Sequence, residues 1–142
     1  MHPLNMNSES HDFEQFMKHR EAAARAYVRG DAGPVSQIAT RNAPATFFGP
    51  NGDFDQGPDR VASMYAQGAA QFESDGDSNF EILHMSASDE IAYWVGFQRA
   101  TARLHRSAEV GPINLRVTEV FRREAGEWKL VHRHADPLTS GK

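Results

Sequence analysis

Residues 113–123, Ile-Asn-Leu-Arg-Val-Thr-Glu-Val-Phe-Arg-Arg, and residues 128–134, Trp-Lys-Leu-Val-His-Arg-His, decide the fold. Apolar and polar side chains alternate through both runs, the period-two pattern of half-buried strands. Ala125-Gly126 lies in the short connection, so the two runs close as an antiparallel hairpin. Working back from it, Gly111-Pro112 interrupts the chain, Ile91 to His105 reads as a long strand, and Asp89-Glu90 is the turn that joins it to a strand from Phe80 to Ala87. The turn-forming cluster Ser74-Asp75-Gly76-Asp77 marks where the period changes.

Upstream of that cluster the period is helical. Phe13, Phe16, Met17, Ala23, Ala24, Tyr27 and Val28 share one stripe, with Glu14, Lys18, Glu21, Arg25 and Arg29 opposite. Asp12 and Gln15 resemble a capping box, which predicts a helix beginning there and stopping at Gly30. Asp31 and Pro34 predict the cap and first turn of a short helix to about Thr40, ended by Pro44. Ala45 to Gly49 reads as a short strand, Asn51-Gly52 as a tight turn into Phe54, and Gly57-Pro58-Asp59 as the start of a third helix reaching about Phe72. Three helices followed by a meander of strands specify an α+β domain, its helices on one face of a curved antiparallel sheet. The expected organisation is one domain over residues 12–136, a flexible leader over 1–11 and a tail over 137–142.

Composition narrows the function. At 142 residues and 39% hydrophobic content, the chain can bury a core without staples. The absence of Cys excludes disulfides, thiol nucleophiles and thiolate metal sites, and fits a cytoplasmic location. A net charge of −4 gives no footprint for nucleic acid. No apolar run approaches the roughly 18 residues of a membrane span, and Met1 to Ser10 has neither the basic nor the apolar region of a secretory signal. Phosphate-loop, dinucleotide, nucleophile-elbow and EF-hand patterns are all missing, so no cofactor is expected.

The closing hairpin, Leu115–Arg123 and Trp128–His134, resembles that of the nuclear transport factor two-like superfamily, nearest its SnoaL-like, ketosteroid isomerase-like and kinase-association-domain branches. Gly30-Asp31, then Phe47-Phe48-Gly-Pro-Asn-Gly52, then Gly57 opening a helix follow the same order, and the resemblance spans residues 12–136. It implies a cone-shaped half-barrel, usually dimeric, with a pocket between the concave sheet face and the long helix. It does not imply one activity, since such folds host enzymes and assembly modules alike. Steroid isomerisation needs a carboxylate base, a Tyr and a protonated Asp. Here Gly49 stands in the place of the base and Ala24 in that of the Tyr, while Glu119 roughly matches the Asp, so that mechanism is rejected.

Candidate functional residues follow from face assignments. Arg20 lies in the middle of the apolar stripe of the first helix, so it either carries its head out to solvent or needs an acidic partner or ligand. Glu119 alternates with Val117 and Phe121, and Arg99 with Tyr93, Val95 and Phe97, which suggests a carboxylate and a guanidinium entering one cavity or pairing between strands. His132 and His134 share a face with Trp128 and Leu130 if the strand is regular, and Asp136 extends that row. They read as structural or as acid–base groups; no metal site is expected. Tyr27 and Tyr65 read as core aromatics that also border the space near Arg20.

The expected function is a small-molecule pocket with Glu119, His132 and His134 as proton-transfer groups and Arg20, Tyr27, Tyr65 and Arg99 as binding groups, in a lyase, isomerase or cyclase. The alternative is a non-catalytic binding or assembly module. Arg20 and Arg99 against Glu119 would leave one inward cation in excess, favouring an anionic ligand. Trp94, read as pointing outward with Val120, predicts a homodimer through the outer sheet face.

Overall fold

A computed structural model describes residues 3–139. The element order is α1 (Pro3–Tyr27), α2 (Gly33–Ile38), β1 (Thr46–Phe48), β2 (Phe54–Gln56), α3 (Pro58–Ala69), β3 (Asp77–Ala87), β4 (Ile91–Ala102), β5 (Gly111–Glu124) and β6 (Glu127–Pro137). The six strands form one sheet in the order β2-β1-β6-β5-β4-β3. This is the α+β half-barrel, its curved sheet covered on the inner face by the N-terminal helices. Among the described residues no helix is long and apolar enough to cross a membrane.

The apolar stripe of α1 seals the inner face. Phe13 packs edge-on against Phe121 and Trp128, with ring centroids 5.4 and 5.5 Å apart. Phe13, Phe121 and Trp94 are fully buried, and burial of each such side chain is worth on the order of 2 kcal/mol. At the far end of α1, Val28 packs with Ala100 and Ala102 of β4.

Three local expectations are corrected. Helix α1 begins at Pro3 rather than at Asp12. The polar stretch before Asp12 carries no stripe, but extending a nucleated helix needs none. Asp12 does not act as its cap: its carboxylate accepts hydrogen bonds from Trp128 Nε1 and Arg123 Nη2 and ties α1 to the closing hairpin. Met1 and His2 of the expected leader, and residues 140–142 of the expected tail, lie outside the described residues. The sheet contains one parallel pair, β1 with β6, while the other pairs are antiparallel. No tight turn joins β1 to β6, so nothing local sets their relative direction. Finally β4 ends at Ala102, short of His105, and Leu104 forms only an isolated bridge with Phe72.

Candidate functional site

The centre of the inner face is polar. Glu119 of β5 is fully buried and receives four hydrogen bonds. Arg20 Nε and Trp94 Nε1 donate to Oε1 at 2.9 and 2.8 Å. Arg20 Nη2 and Arg133 Nη1 donate to Oε2, each at 2.7 Å. Those donors use all of the roughly four lone-pair positions of a carboxylate. Arg133 Nη2 then donates to Gln98 Oε1 at 2.7 Å, and Gln98 Nε2 to Ser78 Oγ at 3.0 Å. The chain of contacts therefore links α1 to four successive strands. Arg20 Nη1 is buried and has no hydrogen-bond partner among the described residues.

Charge and burial set the proton affinities here. Burial alone would raise the Glu119 carboxyl, but the charges and hydrogen bonds of Arg20 and Arg133 overcome it and hold the pKa at about 2. Burial opposes the charge on Arg20 as well, and Glu119 more than compensates, so that Arg20 stays a cation. Burial pushes the Tyr65 hydroxyl well above its ordinary value, against the opposing pull of Arg133 and Arg20. Tyr27 is shifted upward for the same reason.

A cavity of about 620 Å³ opens beside this cluster. Arg20, Arg133, Gln98, Tyr27 and Tyr65 line its polar end, and Val28, Phe72, Ala100, Leu104 and Ile113 supply apolar wall. Its volume lies in the range of sites for small organic molecules. Tyr27 and Tyr65 meet edge to face at 6.2 Å. A Cβ on Gly68 would fall 1.9 Å from Tyr27 Oη, so this glycine makes room for that hydroxyl. Among the described residues lining the cavity there is no His, and the one carboxylate, Glu109, is exposed.

The structure brings Arg20, Tyr27, Tyr65 and Glu119 together as the sequence suggests; the first three line the cavity and Glu119 lies directly behind them. Three other placements are corrected. Arg99 is partly exposed on the outer face and pairs with Glu81 at 3.1 Å, because the inner face of β4 carries the even-numbered residues. For the same reason Trp94 points inward and is 0% exposed, so it cannot form an outer patch.

His132 and His134 also lie outside. In the β5–β6 register Phe121 pairs with Leu130 but Val120 pairs with His132, so Val131 is an extra, bulged residue. The bulge leaves Trp128 and Leu130 inside, turns His132 and His134 outward, and brings Arg133 and Ala135 in. His132 shares a 2.7 Å hydrogen bond with Thr46 Oγ1, and both imidazoles pack edge-on against Phe48. Arg133, Gln98 and Trp94 are the site residues that sequence reasoning missed.

A model of the SnoaL-like domain matches residues 17–139. No curated protein matches the sequence. Among solved structures, a proposed dehydratase of the NTF2-like family from Streptomyces avermitilis is 22% identical, with a TM-score of 0.74 over 92% of this chain and 99% of that one. An NTF2-like superfamily protein from Salmonella enterica superposes with a TM-score of 0.76 at 13% identity, covering 93% of this chain and 92% of that one. A proposed calcium/calmodulin-dependent protein kinase II association domain from Xanthomonas campestris has a TM-score of 0.69 at 11% identity, covering 93% and 89%. At these identities the likeness is one of fold.

Proposed function

The chain belongs to the SnoaL-like domain family, and from that membership and the geometry of its cavity we propose that it binds a small organic molecule whose carbonyl or anionic head faces the Arg20–Glu119–Arg133 cluster. One observation carries this reading: the buried polar cluster of a largely apolar cavity presents hydrogen-bond donors. Arg20 and Arg133 are permanent donors, and the raised Tyr65 and Tyr27 hydroxyls stay protonated at neutral pH. Such a wall favours an acceptor on the ligand and suits electrostatic stabilisation of charge on oxygen.

Proton-transfer chemistry fits the same wall less well. A dehydratase, the activity proposed for the Streptomyces avermitilis relative, must take a proton from carbon and give one to the departing hydroxyl. The tyrosines here could serve the second step. For the first, Glu119 has every lone pair engaged and a pKa of about 2, and His132 and His134 face away from the cavity. We therefore favour binding, with polarisation of the ligand's oxygen, over general-base catalysis.

The test is an amide-resolved NMR titration with small ketones and organic acids. Shifts are expected around Ala100, Ile113 and Arg133, and the cavity-filling substitution Ala100→Phe should remove them. Shifts confined to the outer face, around Phe48 and His134, would overturn the reading.

A further inference from the structure

We infer that the ligand of this cavity is an organic monoanion, its single negative charge on an oxygen head that meets Arg133 and its apolar body lying along the walls. This deepens the binding reading above and rests on it.

The buried charges of the cluster do not sum to zero. Three ionic side chains are buried together: Arg20 and Arg133, with side chains 3% and 10% exposed, and Glu119, at 0%. Two cations against one carboxylate leave an excess of one positive charge away from water, an arrangement that favours a neutralising partner. Glu119 cannot supply more, because its four acceptor positions are filled. The neighbouring tyrosines hold their protons, so they contribute donors and no charge.

The geometry of the ion pairs identifies which cation is in excess. Arg20 grips Glu119 with two N–H groups from one side, the bidentate geometry of a full ion pair. Arg133 gives Glu119 a single hydrogen bond and directs its other terminal nitrogen to the neutral Gln98 oxygen. Arg133 thus has no carboxylate of its own, and it lines the cavity. Tyr27 and Tyr65 line the same cavity, their rings edge to face. A guanidinium and two phenol hydroxyls lining one cavity match a carboxylate, enolate or phenolate head.

The rest of the cavity fits an apolar body. Val28, Phe72, Ala100, Leu104 and Ile113 make most of the remaining wall apolar, and the other polar lining residues, Asn51, Gln71, Ser107 and Glu109, are exposed. A second charge on the ligand would lie against the apolar side chains, and an inorganic anion would leave them uncovered. A monoanion with a hydrocarbon or aromatic body satisfies both ends.

The test is calorimetric titration of the whole chain with benzoate, phenylacetate and hexanoate, their primary amides and the matching amines, with inorganic phosphate as a further arm. The acids should bind at least tenfold tighter than the amides, and the amines and phosphate should not bind. In Arg133→Met the preference for acid over amide should fall to within about twofold, while Arg133→Lys should retain part of it. The acid-to-amide ratio of the wild-type protein decides the inference even if Arg133→Met folds poorly. Amides binding as tightly as acids would overturn the monoanion and leave the pocket reading standing. Phosphate binding as tightly as the acids would overturn the organic body. Failure of acids and amides alike to bind would overturn the pocket reading and this inference with it.

Discussion

Glu119 holds the inner face together because it is the sole negative charge between two buried guanidiniums. Replacing it with Gln keeps the size and removes the charge, leaving Arg20 and Arg133 facing each other without a counter-ion. Breaking a buried pair from one side costs about 3–5 kcal/mol, and Glu119→Gln should lose that much stability in urea unfolding. A loss below about 1 kcal/mol would show the ion cluster to be marginal. The pH dependence has a fixed sign. The folded pKa of about 2 lies below the ordinary 4.5, so the unfolded chain takes up the proton first. The stabilisation from Glu119 is fully present above about pH 4.5 and is lost as pH falls toward 2. Unfolding midpoints followed from pH 6 to 2 should therefore fall more steeply in the wild-type protein than in Glu119→Gln. Parallel acid limbs in the two proteins would contradict the assigned charge state.

At the scale of elements, β4 shows how curvature decides which residues go inside. Its inner face carries Ala92, Trp94, Gly96, Gln98, Ala100 and Ala102; its outer face carries Ile91, Tyr93, Val95, Phe97 and Arg99. The outer set is the more hydrophobic, so a hydrophobicity count assigns it to the core and gets the strand inverted. On a concave face side chains converge, and small residues are what fit beneath a helix and beside a cavity. Gly96 is the tightest case: a Cβ there would fall 2.1 Å from the Glu81 carbonyl oxygen, where β3 is irregular between Ile82 and His84. Gly96→Ala must displace backbone rather than a flexible side chain, and overpacking of this kind costs about 1–3 kcal/mol. Thermal unfolding should show a clearly lowered midpoint; an unchanged midpoint would mean that β3 moves freely at that point. Arg20, Tyr27, Tyr65 and Glu119 follow from helical period and alternation, and the succession β3-β4-β5-β6 follows from the connections between consecutive strands, whereas the parallel placement of β1 beside β6 does not. Arg133 was hidden because one extra residue, Val131, inverts everything after it, and no local residue preference announces that bulge. Gln98 and Trp94 were hidden by the curvature effect. Neither cause is visible in a window of a few residues, since each depends on what packs across the sheet.

For the whole molecule, the outer sheet face raises the question of what covers it. Cross-strand register aligns Phe54, Phe48, His134, Thr118, Val95 and His84 in one row, from β2 to β3. A second row runs Gln56, Thr46, His132, Val120, Tyr93 and Ser86. Phe48 and Phe54 are 41% and 62% exposed. The rim is charged in both signs, with Arg99 beside Glu81 and Arg116 beside Asp136. A face with exposed apolar side chains and charges of both signs suits an isologous contact, in which the same patch of two copies meets across a two-fold axis. We therefore expect a homodimer formed through these rows, with Val95, Val120 and Tyr93 taking the place assigned to Trp94 by the alternation pattern. Light scattering at micromolar concentration should give about twice the 15.8 kDa chain mass. Val95→Lys, which places a charge in the middle of the face without touching the inner core, should shift the particle to a single chain mass while the far-ultraviolet circular dichroism stays unchanged. A wild-type particle of one chain mass would remove the dimer. A dimer that survives Val95→Lys would move the contact elsewhere. Since the cavity lies on the opposite side of the sheet, the monomeric variant should still bind the ligand, and loss of binding on dissociation would mean that the two faces are coupled.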